Sequence, residues 1–202
     1  MEKVIKRYLA KFDEIDRFKG VWLNTLPSTF EEFINIVNEH LEDGYLEGYA
    51  SVGYMLKDDV NRQPDIAKII VARDKIVAGE NINDRLRAYF ESHDVEAIMA
   101  VFTTEYHRMY NTGAEDRAKD VEKTLVDAGL LGILAVGSLV QKKWVTVGDD
   151  KVRDTHISIS GQTVPLSESF VANDGDTAMF PGGFSKPQNN VNCRCTIEYT
   201  LP

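Results

Sequence analysis

The chain holds two cysteines, Cys193 and Cys195, with one residue between them. With His156 they make a set of two thiols and one imidazole, the ligand types that bind zinc. Two features count against zinc. Thiols of a zinc knuckle are usually separated by about two to four residues, and no fourth His or Cys lies near, because His40, His93 and His107 fall in an earlier stretch. A disulfide across so short a gap is strained. A second set is Glu105, Arg153 and His156: a carboxylate, a planar guanidinium and an imidazole, the groups of acid–base and phosphate chemistry. No second base or nucleophile accompanies them. The third reading is architectural, because buried polar networks more often specify a fold than perform chemistry. Glu105 and Arg153 would pair to lock a helix onto a sheet. Asn192 would bond nearby backbone at a turn, and Trp144 would anchor a core with its N–H bonded to one partner. This reading assigns no catalytic residue and no cofactor, and keeps zinc on His156, Cys193 and Cys195 as the alternative.

The elements that must position these side chains divide the chain. Up to about residue 129 the apolar residues recur at helical spacing. Val4, Tyr8, Leu9, Phe12, Ile15 and Phe18 mark one amphipathic stripe. Ser28-Thr29-Phe30-Glu31 reads as a capping box with Ser28 as the cap, opening a helix that carries Phe33, Val37, Leu41 and Tyr45. Gly44 and Gly48 on one face either permit a close backbone approach or weaken the helix. Pro64 opens a further helix, Gly79-Glu80-Asn81 breaks the pattern, and helices through Leu86 and from about Asp94 to Tyr110 follow. Asn111-Thr112-Gly113 reads as a stop, with another helix from Ala114 to Gly129. Beyond it, Trp144–Val147, the alternating Ile157–Ser160 and Cys195–Tyr199 read as strands around a Gly-, Asn- and Pro-rich loop over 173–190. The expected fold class is α+β: a helical N-terminal region, 1–94, and a small C-terminal α+β domain with an antiparallel sheet, 95–202.

Composition narrows the function. The 202 residues are 43% hydrophobic and 27% charged, which excludes a wholly disordered chain. With 23 basic and 32 acidic side chains the net charge is −9, so a general nucleic-acid coat is excluded. Much of the acid sits between residues 28 and 65 and reads as a solvated helix face. Lys142-Lys143 is a weak basic footprint, enough for at most a weak contact with DNA. The most apolar stretch, Leu130–Val140, is too short to cross a bilayer, and the N-terminus lacks the pattern of a secretion signal. Two thiols without such a signal imply synthesis in a reducing cytoplasm.

The order Lys143-Trp144, Arg153-x-x-His156, Gly161, Phe170, Pro181 and Asn192-Cys193-Arg194-Cys195 is uncommon. With Thr103-Thr104-Glu105, Tyr110-Asn111 and Gly113 upstream, it resembles the phage Mu F-like family, the minor head or head-morphogenesis proteins of tailed bacteriophages. The resemblance spans about residues 95–200, and none is evident over 1–94. It implies that Thr104, Glu105, Asn111, Trp144, Arg153, His156, Gly161, Pro181, Asn192, Cys193, Arg194 and Cys195 form a structural signature. It also implies a non-enzymatic virion protein in the capsid interior, in contact with the portal or the major capsid protein, acting in head morphogenesis and in DNA packaging or ejection. Mu F-like domains are also joined to effector enzymes. An enzymatic reading would place its site at Glu105, Arg153 and His156. A bacterial adaptor domain unrelated to phage is the generic alternative.

Overall fold

The computed structural model describes residues 29–59, 61–74, 82–129 and 138–201. The stripe from Val4 to Phe18, Ser28, the Gly79-Glu80-Asn81 break and most of the apolar stretch from Leu130 lie outside them. Two long helices form the frame. Helix α1, Phe30–Leu56, starts at Thr29, whose side chain accepts the Glu32 N–H at 3.2 Å. The cap is therefore Thr29, one residue later than the capping box suggests. The helix ends on Lys57 in the left-handed region (φ 55°), with the N–H groups of Lys57 and Asp58 both donating to the Gly53 carbonyl. Between these ends Phe33, Val37, Leu41, Tyr45, Tyr49 and Val52 form one buried stripe. Glu31, Glu32, Glu39 and Asp43 lie exposed on the other side.

Two short helices, α2 (Ile66–Arg73, capped by Asp65 behind Pro64) and α3 (Ile82–Glu91), come next. Helix α4 then runs unbroken over Val95–Asp127, 33 residues, capped by Asp94. The stop expected at Asn111-Thr112-Gly113 does not occur. Gly113 is a point of contact: a Cβ there would lie 2.1 Å from the Tyr45 carbonyl oxygen, and one at Gly48 would lie 1.9 Å from that of Tyr110. The glycines on the two helices thus let each backbone press against the other. The gain in packing outweighs the roughly 1 kcal/mol that a mid-helix glycine costs. Tyr45 and Tyr49 donate from α1 to Asp116 and Asp120 on α4, and Tyr106 donates back to Glu47.

One half of this pair, with α2 and α3, encloses a core of Phe33, Leu41, Ile69, Leu86, Phe102 and Tyr106. The other half presents Val52, Leu56, Ala114, Ala118 and Val121 to the C-terminal region, where they join Trp144, Phe170, Ile197 and Tyr199 in a second core. There β1 (Gln141–Val145) is the centre of an antiparallel sheet, flanked by β2 (Thr163–Pro165) and β5 (Thr196–Thr200). Trp144 stands opposite Ile197, and Lys142 opposite both Tyr199 and Val164. A two-stranded ribbon, β3 (Phe170–Val171) and β4 (Thr177–Ala178), completes the α+β fold. The expected strand at Ile157–Ser160 is instead the end of a one-turn helix, α5 (Asp154–Ile157), and the turn after it. Its alternation is misleading: Ile159 is buried but Ile157 points to solvent. No described helix is long and apolar enough to cross a membrane.

Candidate functional site

The signature residues meet where α4 packs beside β1 and β5. Trp144 is fully buried at the centre, with Phe170 edge-on at 5.1 Å and the ring of His156 edge-on at 5.5 Å. His156, on α5, is stacked on Phe184 (5.4 Å, 18°). Its Nδ1 lies 3.7 Å from the Cys193 sulfur and 3.4 Å from the Cys195 sulfur. All three residues are buried and their ligand-type atoms lie within 4.8 Å of one another. Alternate residues of an extended chain share a face, so one intervening residue is what brings both thiols to one imidazole. A hydrogen bond from Cys195, reinforced by His156, holds the Cys193 thiol well below its usual value. The same hydrogen bond, with burial and the nearby Cys193 sulfur, pushes Cys195 up.

Helix and sheet are locked together here, through partners other than those the sequence suggested. Glu105 does not pair with Arg153. It binds Arg108 one turn away on α4, Nε to Oε2 at 2.6 Å, with both side chains buried. Arg153 donates to the carbonyl of Val191. The link from α4 comes instead from Thr104, whose hydroxyl accepts the Asn192 N–H at 2.9 Å, and from Asn111, whose Nδ2 donates to the Cys195 carbonyl at 3.3 Å. Asn192 sits in the left-handed region (φ 53°), which asparagine tolerates, and so turns the chain into the Cys-Arg-Cys segment. The Asn192 contribution is thus its backbone N–H and its conformation. Arg194 pairs outward with Asp149 at 2.7 Å. Gly161 (φ 78°) donates to the Trp144 carbonyl at 2.8 Å, and the buried Pro181 precedes Gly182, which lies against Arg108 of α4. Among the described residues the indole N–H of Trp144 meets no nitrogen or oxygen acceptor; the group it faces is the Cys195 sulfur, on which it acts as a weak donor.

Three polar groups that sequence reading passed over hold the junction and the long loop beyond it. Glu115 of α4 is fully buried between Lys142 (3.5 Å) and the Tyr199 hydroxyl (3.0 Å). Burial raises the Glu115 carboxyl and lowers the Lys142 ammonium, while each charge favours the other. Lys142 is therefore an interior ion-pair partner, and the basic pair it was expected to form with Lys143 is not on the surface. Glu122 receives the N–H groups of Leu139 and Val140 and fixes the start of β1. Asp176 organises the long loop by accepting from Thr177, Ser185, Lys186 and Asn189. Burial opposes its charge, but these donors hold its carboxyl well below the usual carboxylate range. The Asp174-Gly175-Asp176 turn was the signal available in the sequence.

The trio of the alternative enzymatic reading, Glu105, Arg153 and His156, does not line one cavity. Glu105 borders a groove with Arg85, Tyr89, Thr104 and Asn190, whereas Arg153 and His156 border a small cleft with Lys151, Cys193 and Arg194. The histidines outside the site have local roles. Nδ1 of His40 is 2.9 Å from the Ile36 carbonyl, His107 is buried in α4, and His93 occupies the turn before it.

Comparison with known proteins places this arrangement. The chain is 25% identical over 200 residues to the NAD(+)–arginine ADP-ribosyltransferase EFV of Enterococcus faecalis, a match covering 97% of this chain but 38% of that protein. It is 19% identical over 233 residues to a minor head protein of Bacillus phage SPP1, covering 96% of this chain and 70% of that one. No solved structure matches it. The family model for phage Mu protein F-like proteins matches residues 70–198, starting well before the motifs that first suggested it. The chain belongs to the phage Mu protein F-like family.

Proposed function

We propose that this protein is a minor head protein of a tailed bacteriophage, held in the capsid interior against the portal and acting in head morphogenesis. The observation that carries this reading is how the signature side chains are used. Thr104, Asn111, Trp144, His156 and the Asn192–Cys195 segment bind one another across the helix–sheet junction. Family membership and the phage relative supply the context. The helical region offers docking surface: Ile66, Ile70 and Val71 on α2 are exposed apolar side chains beside an acidic helix. With Lys142 buried and Lys143 paired to Glu198, a part in DNA packaging or ejection would run through protein contacts more than through DNA. The test is mass spectrometry of purified phage heads, together with co-purification against portal and major capsid proteins. Presence in heads and recovery with the portal are expected. Absence from heads, or recovery with neither protein, overturns the proposal.

The transferase relative favours a second reading, an enzymatic one. This chain spans 38% of that relative, and its Glu105, Arg153 and His156 border two different cavities. Incubation with NAD and an arginine-rich acceptor is expected to give no ADP-ribose transfer. Transfer that is lost in His156→Ala would establish the second reading instead.

A further inference from the structure

We propose that His156, Cys193 and Cys195 bind one zinc ion, with the fourth position filled by solvent. The spacing fits the ion. Bond lengths of about 2.3 Å to sulfur and about 2.0–2.1 Å to nitrogen, at tetrahedral angles, hold S and N about 3.6 Å apart. The two sulfurs here lie 3.7 and 3.4 Å from Nδ1. The imidazole is held in that orientation by its stack on Phe184 and its edge contact with Trp144. Both cysteines are free thiols.

Charge gives the second argument. An isolated thiolate in a buried, aromatic-walled site is costly. Zinc replaces the protons of both thiols, which pass to solvent, so two thiolates, a neutral imidazole and a divalent cation sum to zero. Soft sulfur and imidazole ligands favour zinc over magnesium or calcium. The cleft bordered by Lys151, Arg153, Arg194 and the three ligands has room for about one water molecule, which supplies the open coordination position. The ion would join α5 to the start of β5 across 37 and 39 residues of chain. A small region with short strands gains stability from such a cross-link.

The test uses the full chain, stripped with chelator and titrated with cobalt(II) alone. One cobalt per chain is expected, with thiolate-to-cobalt charge-transfer absorption that zinc abolishes. Cys193→Ser and Cys195→Ser are each expected to weaken binding more than about 100-fold, beyond the 10–100-fold typical of an outer-shell partner. Alkylation of the wild-type thiols by iodoacetamide is expected to be blocked by zinc and released by chelator. Removing zinc is expected to lower Tm by about 5 °C or more. If the serine variants do not fold, the wild-type cobalt spectrum decides. Absence of thiolate–cobalt absorption, cobalt binding unchanged in a folded serine variant, or alkylation indifferent to zinc overturns the proposal.

Discussion

The α1–α4 helix pair and the C-terminal region of this protein hold together by different means. The helices meet along glycines, Gly44 and Gly48 against Tyr106 and Tyr110, and Gly113 against Tyr45, with tyrosine–carboxylate bonds along the seam. Each of these contacts repeats a helical spacing. The C-terminal region has strands of two to five residues and depends on single, non-repeating contacts: one tryptophan, one buried aspartate and one His–Cys–Cys cluster. The first design is periodic and fails by steric misfit. The second is a set of individual junctions, each of which fails separately.

The largest break is expected in the helix seam. Gly48→Leu drives a side chain into the Tyr110 backbone and is expected to cost at least about 5 kcal/mol, enough to prevent folding, as read by circular dichroism and solubility. Trp144→Ala empties the centre of the second core and is expected to cost about 3–5 kcal/mol in urea unfolding. Asp176→Ala removes the acceptor of the loop's donors and is expected to cost about 3 kcal/mol. The sign of its pH dependence follows from its depressed native value. The unfolded carboxyl, near 3.9, takes up a proton first, so the stabilisation is complete above about pH 5 and is lost progressively as pH falls through and below about 3.9. Wild type is expected to lose stability between about pH 5 and about pH 3, on either side of the unfolded value near 3.9, more steeply than Asp176→Asn, as followed by urea midpoints.

Smaller effects sharpen the junction itself. Thr104→Val removes the acceptor of the Asn192 N–H and is expected to cost about 1 kcal/mol. A double-mutant cycle on Glu105→Gln and Arg153→Ala is expected to give a coupling near zero, within about 0.5 kcal/mol. The same cycle on Glu105 and Arg108 is expected to give a clear coupling, because that pair is buried and in contact. A strong Glu105–Arg153 coupling would mean that helix and sheet are locked by the ion pair first inferred from residue types.

How much of this was legible beforehand follows the same division. The stripe on α1, the Asp94 start and the last strand were readable, because each is a local pattern that backbone geometry enforces; Pro64 marked the next boundary, but it lies before the Asp65 cap and not in the first turn of α2. Gly113 was misread as a stop, because a glycine in a helix looks the same whether it ends the helix or admits a neighbour, and only Tyr45 on the partner helix decides. Ile157–Ser160 was misread for a related reason. Two residues of alternation do not reveal which side chain the core will take. The pairing of Glu105 with Arg108 lies at ordinary helical spacing, yet residue types alone pointed to the more distant Arg153.

Composition and short-range periodicity were enough for the amphipathic stripes, the acidic surface and the list of side chains that matter at the C-terminal end. The continuity of α4 through Gly113, and which side chains meet, came only with the fold. The fold buried Lys142 against Glu115, turned Asp176 into the hub of a loop and brought His156 to two sulfurs that lie 37 and 39 residues away. Such pairings rest on contacts between residues far apart in the chain. The free energy of each is set by burial and geometry that no local window contains.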